Sequence, residues 1–227
     1  MLHFYSFLQG STSYLLLIFI VIAIIIAITL QFNKKFIFID SSHEYQYNMN
    51  QKNELGKSSL YGAAKHATKS LLDVISHQYG IDLVGVAFTN VYGRGDYSNR
   101  SANLIISSIC NNGYVDLISG VHQHDWVYID DAIKGIKLSI QKGINGKVYY
   151  IGSKNLLTFS EIITTIKDAV NPSATLNFGK FQDSSFIDYT NFDLKCAEKD
   201  LGFTQSINLT QGALLTKDWL KEIGRIK

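Results

Sequence analysis

The stretch SSLYGAAKHATKSLLDVISHQYGIDLVGVAF, residues 58 to 88, decides the fold. Apolar residues recur at helical spacing through its first part, at Leu60, Ala64, Ala67, Leu71 and Val74. Gly80 is a typical helix stop, and residues 81 to 88 form a short apolar run typical of a strand buried on both faces. With FIFID at residues 36 to 40 before it, the stretch predicts a strand, a helix and a strand in one right-handed βαβ unit.

The remaining sequence continues the alternation of helices and strands. Residues 101 to 113 are typical of a helix, and residues 125 to 143 of a turn that leads into a helix. A strand at 147 to 152 and a helix at 158 to 170 follow. We therefore expect an α/β fold over residues 34–227, with a partial Rossmann-like parallel sheet and a small C-terminal lobe for a substrate.

The first 33 residues form a separate, apolar segment. The run YLLLIFIVIAIIIAITL, residues 14 to 30, contains no charge, and no Lys, Arg, Asp or Glu precedes Lys34. A transmembrane helix needs about 20 apolar residues, so this run is short for a span. Three interpretations stay open: an N-terminal apolar helix that anchors the chain in a membrane, a buried apolar element, or a mistaken start of the reading frame. For an anchor, Lys34 and Lys35 would hold the rest of the chain in the cytoplasm.

Composition excludes several classes of protein. The chain of 227 residues has a formal net charge of +2 and no long basic run, which argues against nucleic-acid binding. Cys110 and Cys196 are the two cysteines, too few for a disulfide framework or a metal site. A reducing compartment such as the cytoplasm is therefore expected.

Tyr61 and Lys65 form a candidate acid/base pair. Their spacing places them on one helix face, where a lysine ammonium stabilises a tyrosinate. Tyr150 and Lys154 repeat the spacing, but they follow an apolar run and a glycine, which indicates a strand and a turn instead. In a parallel sheet the ligand crevice lies beyond the carboxyl ends of the strands, where the hydroxyls of Ser41 and Ser42 could hold a substrate oxygen.

Five blocks in order resemble one known family: FIFIDSSHEYQ, SLYGAAK, VAFTNVYGRGD, HDWVYIDDAIKGI and GKVYYIGSKNLLTFSEII. They look like the NAD-dependent nucleotide-sugar epimerase/dehydratase family of extended short-chain dehydrogenase/reductases. The resemblance extends over roughly residues 34 to 222 and includes LKCAEKDLGF and GALLTKDWL, which look like the closing helices of the family. It implies a nucleotide-sugar substrate and NAD or NADP as the cofactor.

The resemblance also implies roles for particular residues. Tyr61 matches the family's acid/base on a sugar hydroxyl or ketone, and Lys65 matches the lysine that also holds the nicotinamide ribose. Ser41 or Ser42, depending on the register, matches the residue that orients the sugar oxygen. Two further matches lie in the third block: Asn90, for the asparagine that meets the substrate diphosphate, and Phe88, which flanks the nicotinamide.

Two departures narrow the expected reaction. The family usually has an arginine before the aspartate of the DWVYIDD block, where this chain has His124. Because a histidine is mostly neutral at pH 7, the binding of a diphosphate should be weaker. His122 and His124 have no third partner in the sequence that would make a metal site, and no metal is expected. The Asp-Glu pair of the family's dehydratases is missing after Ser41, which favours an epimerase or a 4-ketoreductase.

The glycine-rich turn that binds a dinucleotide is also missing. Only Gly10 and Gly56 precede Tyr61, and neither belongs to such a motif. Three hypotheses follow: an enzyme whose N-terminal cofactor half comes from elsewhere, an inactive remnant that is membrane-anchored or acts as a binding module, or an unstable fragment. The resemblance also implies a homodimer as a further possible assembly.

Overall fold

A computed structural model of the chain describes residues 35–42, 60–98, 101–182, 187, 189 and 192–227. Over this part of the chain, no helix is both long enough and apolar enough to cross a bilayer. The apolar run at 14–30 lies outside the described residues, so the anchor, the apolar helix and the domain boundary after residue 33 stay predictions.

A three-stranded parallel sheet forms the centre of one half of the fold. Strands β1 (Phe36–Ser41), β2 (Leu83–Phe88) and β7 (Val148–Ile151) lie in the order β1-β2-β7. The helix α1 (Leu60–Tyr79) connects β1 with β2, which run parallel. The βαβ unit predicted from the sequence is therefore confirmed.

The two faces of this sheet are covered differently. Val84 and Val86 of β2 are fully buried and pack with Tyr149 and Ile151 of β7 in one hydrophobic cluster. Helix α3 (Ile129–Lys142) and the region after the short helix α5 (Leu194–Cys196) cover that face. Helix α1 lies on the opposite face, since its residues and Gly85 line a small cavity together.

A larger hydrophobic cluster lies under three helices of the second half. Helices α2 (Ser101–Asn112), α4 (Phe159–Val170) and α6 (Leu209–Glu222) contact one another around it. Fully buried members are Ile106, Ile109, Ile163, Ile166 and Leu220. These isoleucines follow helical spacing along α2 and α4, which explains why the periodicity predicted both helices correctly.

Three short strand pairs lie outside the three-stranded sheet. Strand β3 (Asn90–Tyr92) runs parallel to β6 (Trp126–Tyr128), and β4 (Tyr114–Asp116) runs parallel to β9 (Thr175–Asn177). The two-residue strands β5 (Gln123–His124) and β8 (Leu157–Thr158) form an antiparallel pair. Because β3 follows β2 after Thr89 alone, the chain passes from the sheet directly into the second half.

Helix α1 packs in a way that its sequence pattern did not reveal. The five apolar residues that define its stripe are all exposed: Leu60, Ala64, Ala67, Leu71 and Val74. Leu60 is 87% exposed and Val74 is 59% exposed, whereas Gly62 is buried. The periodicity therefore predicted the helix correctly, but the stripe does not face the core formed by the described residues.

Candidate functional site

A cavity of about 560 Å³ opens at the carboxyl ends of β1 and β2. That size lies within the range of about 300–1,000 Å³ that is usual for small-molecule sites. Five of the predicted site residues line it: Ser41, Ser42, Tyr61, Phe88 and Asn90. Parallel pairing explains part of this convergence, since Ser41 lies directly opposite Phe88 in the register.

Tyr61 lies in the first turn of α1 and faces the cavity with 53% of its surface exposed. Lys65 follows it one turn later and does not line the cavity. Its Nζ donates a hydrogen bond of 2.7 Å to the carbonyl oxygen of Ile39 and lies 5.9 Å from the centre of the Tyr61 ring. The pair is therefore held side by side, as its spacing predicted, and is tied to the end of β1.

Tyr189 is a buried residue that the sequence analysis missed. Its hydroxyl forms hydrogen bonds with the side chains of Ser42 and Asn90, two residues that line the cavity. Burial raises the pKa of Tyr189, and the two hydrogen bonds oppose that rise only in part. Tyr189 lies far along the sequence and belongs to no long helix or strand that the structure describes, so no periodic pattern pointed to it.

Asn90 is fixed from two sides. Its backbone N–H donates to the carbonyl oxygen of Asp125 at 3.0 Å, and its side-chain Nδ2 donates to the same oxygen at 3.1 Å. Asp125 is fully buried, and its carboxylate accepts hydrogen bonds from the backbone of Ser153 and Lys154. The strand end that carries Asn90 is therefore rigid, which suits a residue that orients a ligand.

His124 lies away from the cavity lining. Its ring packs 5.7 Å from the ring of Phe159 and 6.1 Å from the ring of Tyr189. Burial, with a smaller contribution from His122, lowers the pKa of His124, so the imidazole is neutral at pH 7. In the described parts of the chain, no group of three or more His, Cys, Asp or Glu residues could hold a metal ion.

Three further residues with a carboxylate or amide side chain line the cavity: Asp40, Asp96 and Asn103. None of the three is among the site residues predicted from the sequence. Asp40 precedes Ser41 at the end of β1. This position next to a strand end was the one sequence signal that could have indicated that Asp40 lines the cavity. Asn103 belongs to α2, whose apolar pattern gave no reason to single out a polar residue.

The loop that carries Asp96 is held by the last helix and the residues after it. The Arg225 guanidinium donates to the carbonyl oxygens of Tyr97 and Ser98. The Tyr97 ring packs edge-on against Trp219 of α6, with ring centres 5.4 Å apart. This clamp, formed by Arg225, Trp219 and Tyr97, fixes one wall of the cavity.

The described residues fit one end of a nicotinamide cofactor. Tyr61, Lys65 and Phe88 are the residues that the family resemblance assigns to the nicotinamide end, and they lie around one strand end. Gly10 and Gly56, the glycines that precede Tyr61, lie outside the described residues. In the part of the chain that the structure describes, no glycine-rich cradle for a pyrophosphate is present, and the nicotinamide site stays a prediction.

Comparison with known proteins decides the family. The model of the NAD dependent epimerase/dehydratase family matches residues 19–152, more than half of the chain. The chain belongs to this family. The matched range begins inside the apolar run and includes the strand ends that form the cavity. The family is NAD-dependent, and solved structures with a similar fold include complexes with NAD and with NADPH.

Relatives in the family are distant and longer than this chain. UDP-glucuronate 4-epimerase 3 of Arabidopsis thaliana is 23% identical over 179 residues, which cover 71% of this chain and 42% of that protein. The dTDP-4-dehydro-6-deoxyglucose reductase of Escherichia coli is 25% identical over 158 residues, which cover 67% of this chain and 49% of that protein. The chain spans about half the length of the curated relatives it matches.

Several solved structures share the fold of this chain. A dTDP-glucose 4,6-dehydratase from Bacillus anthracis in complex with NAD matches with a TM-score of 0.71 and 17% identity, covering 87% of this chain and 65% of that one. The UDP-glucuronic acid 4-epimerase from Bacillus cereus in complex with NAD matches with a TM-score of 0.65 and 23% identity, covering 83% and 62%. The chain therefore has an α/β fold with parallel sheets, similar to that of the Rossmann-like epimerases.

Proposed function

We propose that this chain carries the acid/base and sugar-binding groups of a nucleotide-sugar 4-epimerase or 4-ketoreductase that uses NAD or NADP. The observation that carries the proposal is the convergence of Ser41, Ser42, Tyr61, Phe88 and Asn90 on one cavity. Residues predicted at four separate places in the sequence meet at the carboxyl ends of the strands, where ligands bind in this class of fold.

In this proposal Tyr61 moves the proton. Its phenol gives a proton to a sugar ketone, or its phenolate takes one from a sugar hydroxyl, and the Lys65 ammonium stabilises the charged form. Lys65 lies 5.9 Å from the ring centre of Tyr61, close enough for this electrostatic effect. Bound NAD or NADP supplies the acceptor or the donor of the hydride.

The sugar oxygen is held by a serine at the end of β1. Ser42 is 4% exposed, and the hydrogen bond with Tyr189 fixes its orientation. Ser41 lies next to it, opposite Phe88, and lines the same cavity. We assign the contact with the sugar oxygen to this pair, and Asn90 contacts the neighbouring part of the nucleotide sugar.

A second function has support from the same geometry. The described residues include the proposed sugar contacts but no pyrophosphate cradle, and the Lys65 ammonium donates to the carbonyl oxygen of Ile39. A binding module that holds a sugar nucleotide without oxidising it would have these features. It would bind a nucleotide sugar and leave NADH free.

Assembly and location are part of the proposal. The apolar stripe on α1 is exposed, and a second copy of the chain or a complementing N-terminal half would cover it. The cytoplasm is the proposed location, because the chain has two free cysteines and Lys34 and Lys35 follow the apolar run. Membrane anchoring by residues 14–30 rests on the sequence alone.

An NADH titration of the full chain in detergent, followed by nicotinamide fluorescence, tests the proposal. Lys65→Ala is the test variant, and Lys137→Ala is the matched control because Lys137 is exposed on α3. Saturable binding that Lys65→Ala removes and Lys137→Ala retains would support an oxidoreductase. Binding of UDP-glucose or dTDP-glucose without any binding of NADH would overturn it and favour the binding module.

A further inference from the structure

Tyr189 joins the C-terminal part of the chain to two strand ends of the site. Its hydroxyl forms hydrogen bonds with the side chain of Ser42, directly after β1, and with the side chain of Asn90, at the start of β3. A tyrosine hydroxyl both donates and accepts, so it can serve two partners at once. Both partners line the cavity, whereas Tyr189 is 3% exposed and does not line it. Any effect of Tyr189 on a ligand must therefore pass through these partners.

The ring of Tyr189 is held by packing against other aromatic side chains. Its centre lies 5.4 Å from that of Phe192 and 6.1 Å from that of His124. Phe192 in turn packs 4.7 Å from Tyr150 of β7, which attaches the cluster to the sheet. A closely packed ring has no room to change its rotamer, so its hydroxyl keeps one position. The Tyr189 hydroxyl is therefore a fixed point beside the cavity.

The side-chain amide of Asn90 is held by Asp125 as well as by Tyr189. Its Nδ2 donates to the backbone carbonyl oxygen of Asp125 at 3.1 Å, and the residue is half-buried in the cavity lining. An amide that is held by a single hydrogen bond can still rotate about that bond, which changes the direction of its oxygen. The bond with Tyr189 removes this freedom. Tyr189 therefore determines which atoms of the Asn90 amide face a ligand.

The two serines at the end of β1 differ in burial. Ser42 is 4% exposed, almost as buried as Tyr189, and its hydroxyl is bonded to the Tyr189 hydroxyl. Ser41 is half-buried and lies opposite Phe88 in the strand register. A buried hydroxyl that already has a partner is poorly placed to contact a ligand. The geometry favours Ser41 as the serine that contacts the sugar oxygen and Ser42 as the partner of Tyr189.

We propose that Tyr189 is a positioning residue of the site, which orients the Asn90 amide toward the ligand and is anchored by Ser42. Ser41 is then the serine of the pair that contacts the sugar oxygen. This role rests on the proposed function in one respect, that the cavity takes a nucleotide sugar. It adds a buried residue from the C-terminal part of the chain that determines how the strand ends meet this ligand.

The side-chain amide signals of Asn90 test the positioning without a ligand. The full chain in detergent is labelled with nitrogen-15 asparagine, and the Asn90 signals in a proton–nitrogen correlation spectrum are assigned from their absence in Asn90→Asp. Tyr189→Phe removes the hydroxyl and keeps the ring. We expect it to shift the Asn90 signals and to speed their exchange with water.

Tyr149→Phe is the matched control for the loss of a buried hydroxyl. Tyr149 is fully buried, and its hydroxyl bonds with the Asp200 carboxylate at 3.3 Å and with the Ile144 backbone N–H at 3.1 Å. It does not line the cavity. We expect this variant to lose stability as Tyr189→Phe does, but to leave the Asn90 signals in place. A role of Tyr189 in stability alone would not produce this difference.

Titration with UDP-glucose measures the consequence for binding. We expect the dissociation constant to rise about tenfold in Tyr189→Phe and to stay unchanged in Tyr149→Phe, because a lost oriented hydrogen bond is worth about that factor. Ser41→Ala should weaken binding by a similar factor, and Ser42→Ala by less. The losses of melting temperature in Ser42→Ala and Tyr189→Phe should not add in the double variant, since either change already removes their shared bond.

The outcomes separate the positioning role from the proposed function. Asn90 signals that stay in place in Tyr189→Phe, or that move equally in Tyr149→Phe, would overturn the positioning role. An unchanged affinity for UDP-glucose in Tyr189→Phe would also overturn it, and weaker binding in Ser42→Ala than in Ser41→Ala would overturn the roles of the serines. A chain that binds no UDP-glucose would count against the proposed function, and the Asn90 signals would then judge Tyr189.

A second replacement covers the case in which Tyr189→Phe does not fold. Replacing Tyr189 by 3-fluorotyrosine keeps the ring and the hydroxyl and changes the strength of the hydroxyl's hydrogen bonds. The Asn90 signals should then shift in a folded chain. Signals that do not respond to this replacement would overturn the positioning role.

Discussion

The Nζ of Lys65 lies 2.7 Å from the carbonyl oxygen of Ile39 and donates a hydrogen bond to it. This bond joins α1, one turn after Tyr61, to the last residues of β1, directly before Asp40 and Ser41. The bond connects the two elements directly, and it therefore sets the distance between the Tyr61 phenol and the serines at the end of β1. The lysine thus has a positioning effect as well as an electrostatic one.

Replacing Tyr61 tests the proton transfer. Tyr61→Phe removes the hydroxyl and keeps the ring. We expect kcat with the nucleotide-sugar substrate to fall by about 10²- to 10⁴-fold, with little change in melting temperature. Tyr79→Phe is the matched control, since both tyrosines are 53% exposed and belong to α1. Equal rates for the two variants would remove Tyr61 from the mechanism.

The buried Tyr189 hydroxyl should contribute to stability and to the site. Tyr189→Phe leaves the side chains of Ser42 and Asn90 without this partner, so the free energy of unfolding should fall by about 1–3 kcal/mol. Chemical denaturation measures the change, with Tyr114→Phe, at an exposed position, as the control. A loss no larger than that of Tyr114→Phe would show that the two hydrogen bonds contribute little.

His124 should make the fold weaker in mild acid. Because burial lowers the pKa of His124 below its ordinary value of 6.5, the unfolded chain binds the proton more readily. The free energy of unfolding should therefore fall as the pH drops below about 6.5, and His124→Gln should reduce that slope. Denaturation between pH 5 and 8 measures it, with the exposed His77→Gln as the control. An unchanged slope in His124→Gln would contradict the prediction.

Gly212 provides a test of packing. A Cβ at this position would overlap the Tyr92 hydroxyl and lie 2.8 Å from its ring carbon Cζ. Gly212→Ala should cost about 1–3 kcal/mol, although alanine alone favours a helix by about 1 kcal/mol. In a Tyr92→Phe background, Gly212→Ala should cost less unfolding free energy, because the Tyr92 hydroxyl oxygen that the Cβ overlaps is absent. Additive losses in this double-mutant cycle would place the strain elsewhere.

Local periodicity predicted much of the fold. The boundaries of β1, α1 and β2 agree with the expected ones within two residues, and Gly80 ends α1 with a φ of +66°. The pairs β5–β8 and β4–β9 were not predicted, because strands of two or three residues are too short to show an alternation. The exposed stripe of α1 could not be foreseen, since an apolar pattern does not tell which partner covers it.

The predicted site residues that lie next to a strand end or on one helix turn come together in the structure. Ser41, Phe88 and Asn90 follow from the topology of a parallel sheet, and Tyr61 with Lys65 from the helix period. Asn103 and Tyr189 come from distant segments, and their roles depend on tertiary packing. A single sequence carries no information on these tertiary contacts, so it gives no signal for Asn103 or Tyr189.

The clamp at Arg225 has a consequence for the order of folding. Its guanidinium contacts Tyr97, 128 positions earlier, and Ser98. Contacts between such distant positions form slowly, because a long loop must close before they are made. The cavity wall that carries Asp96 can therefore settle only after α6 has docked. During synthesis, the capacity to hold a ligand should arise after Arg225 has left the ribosome.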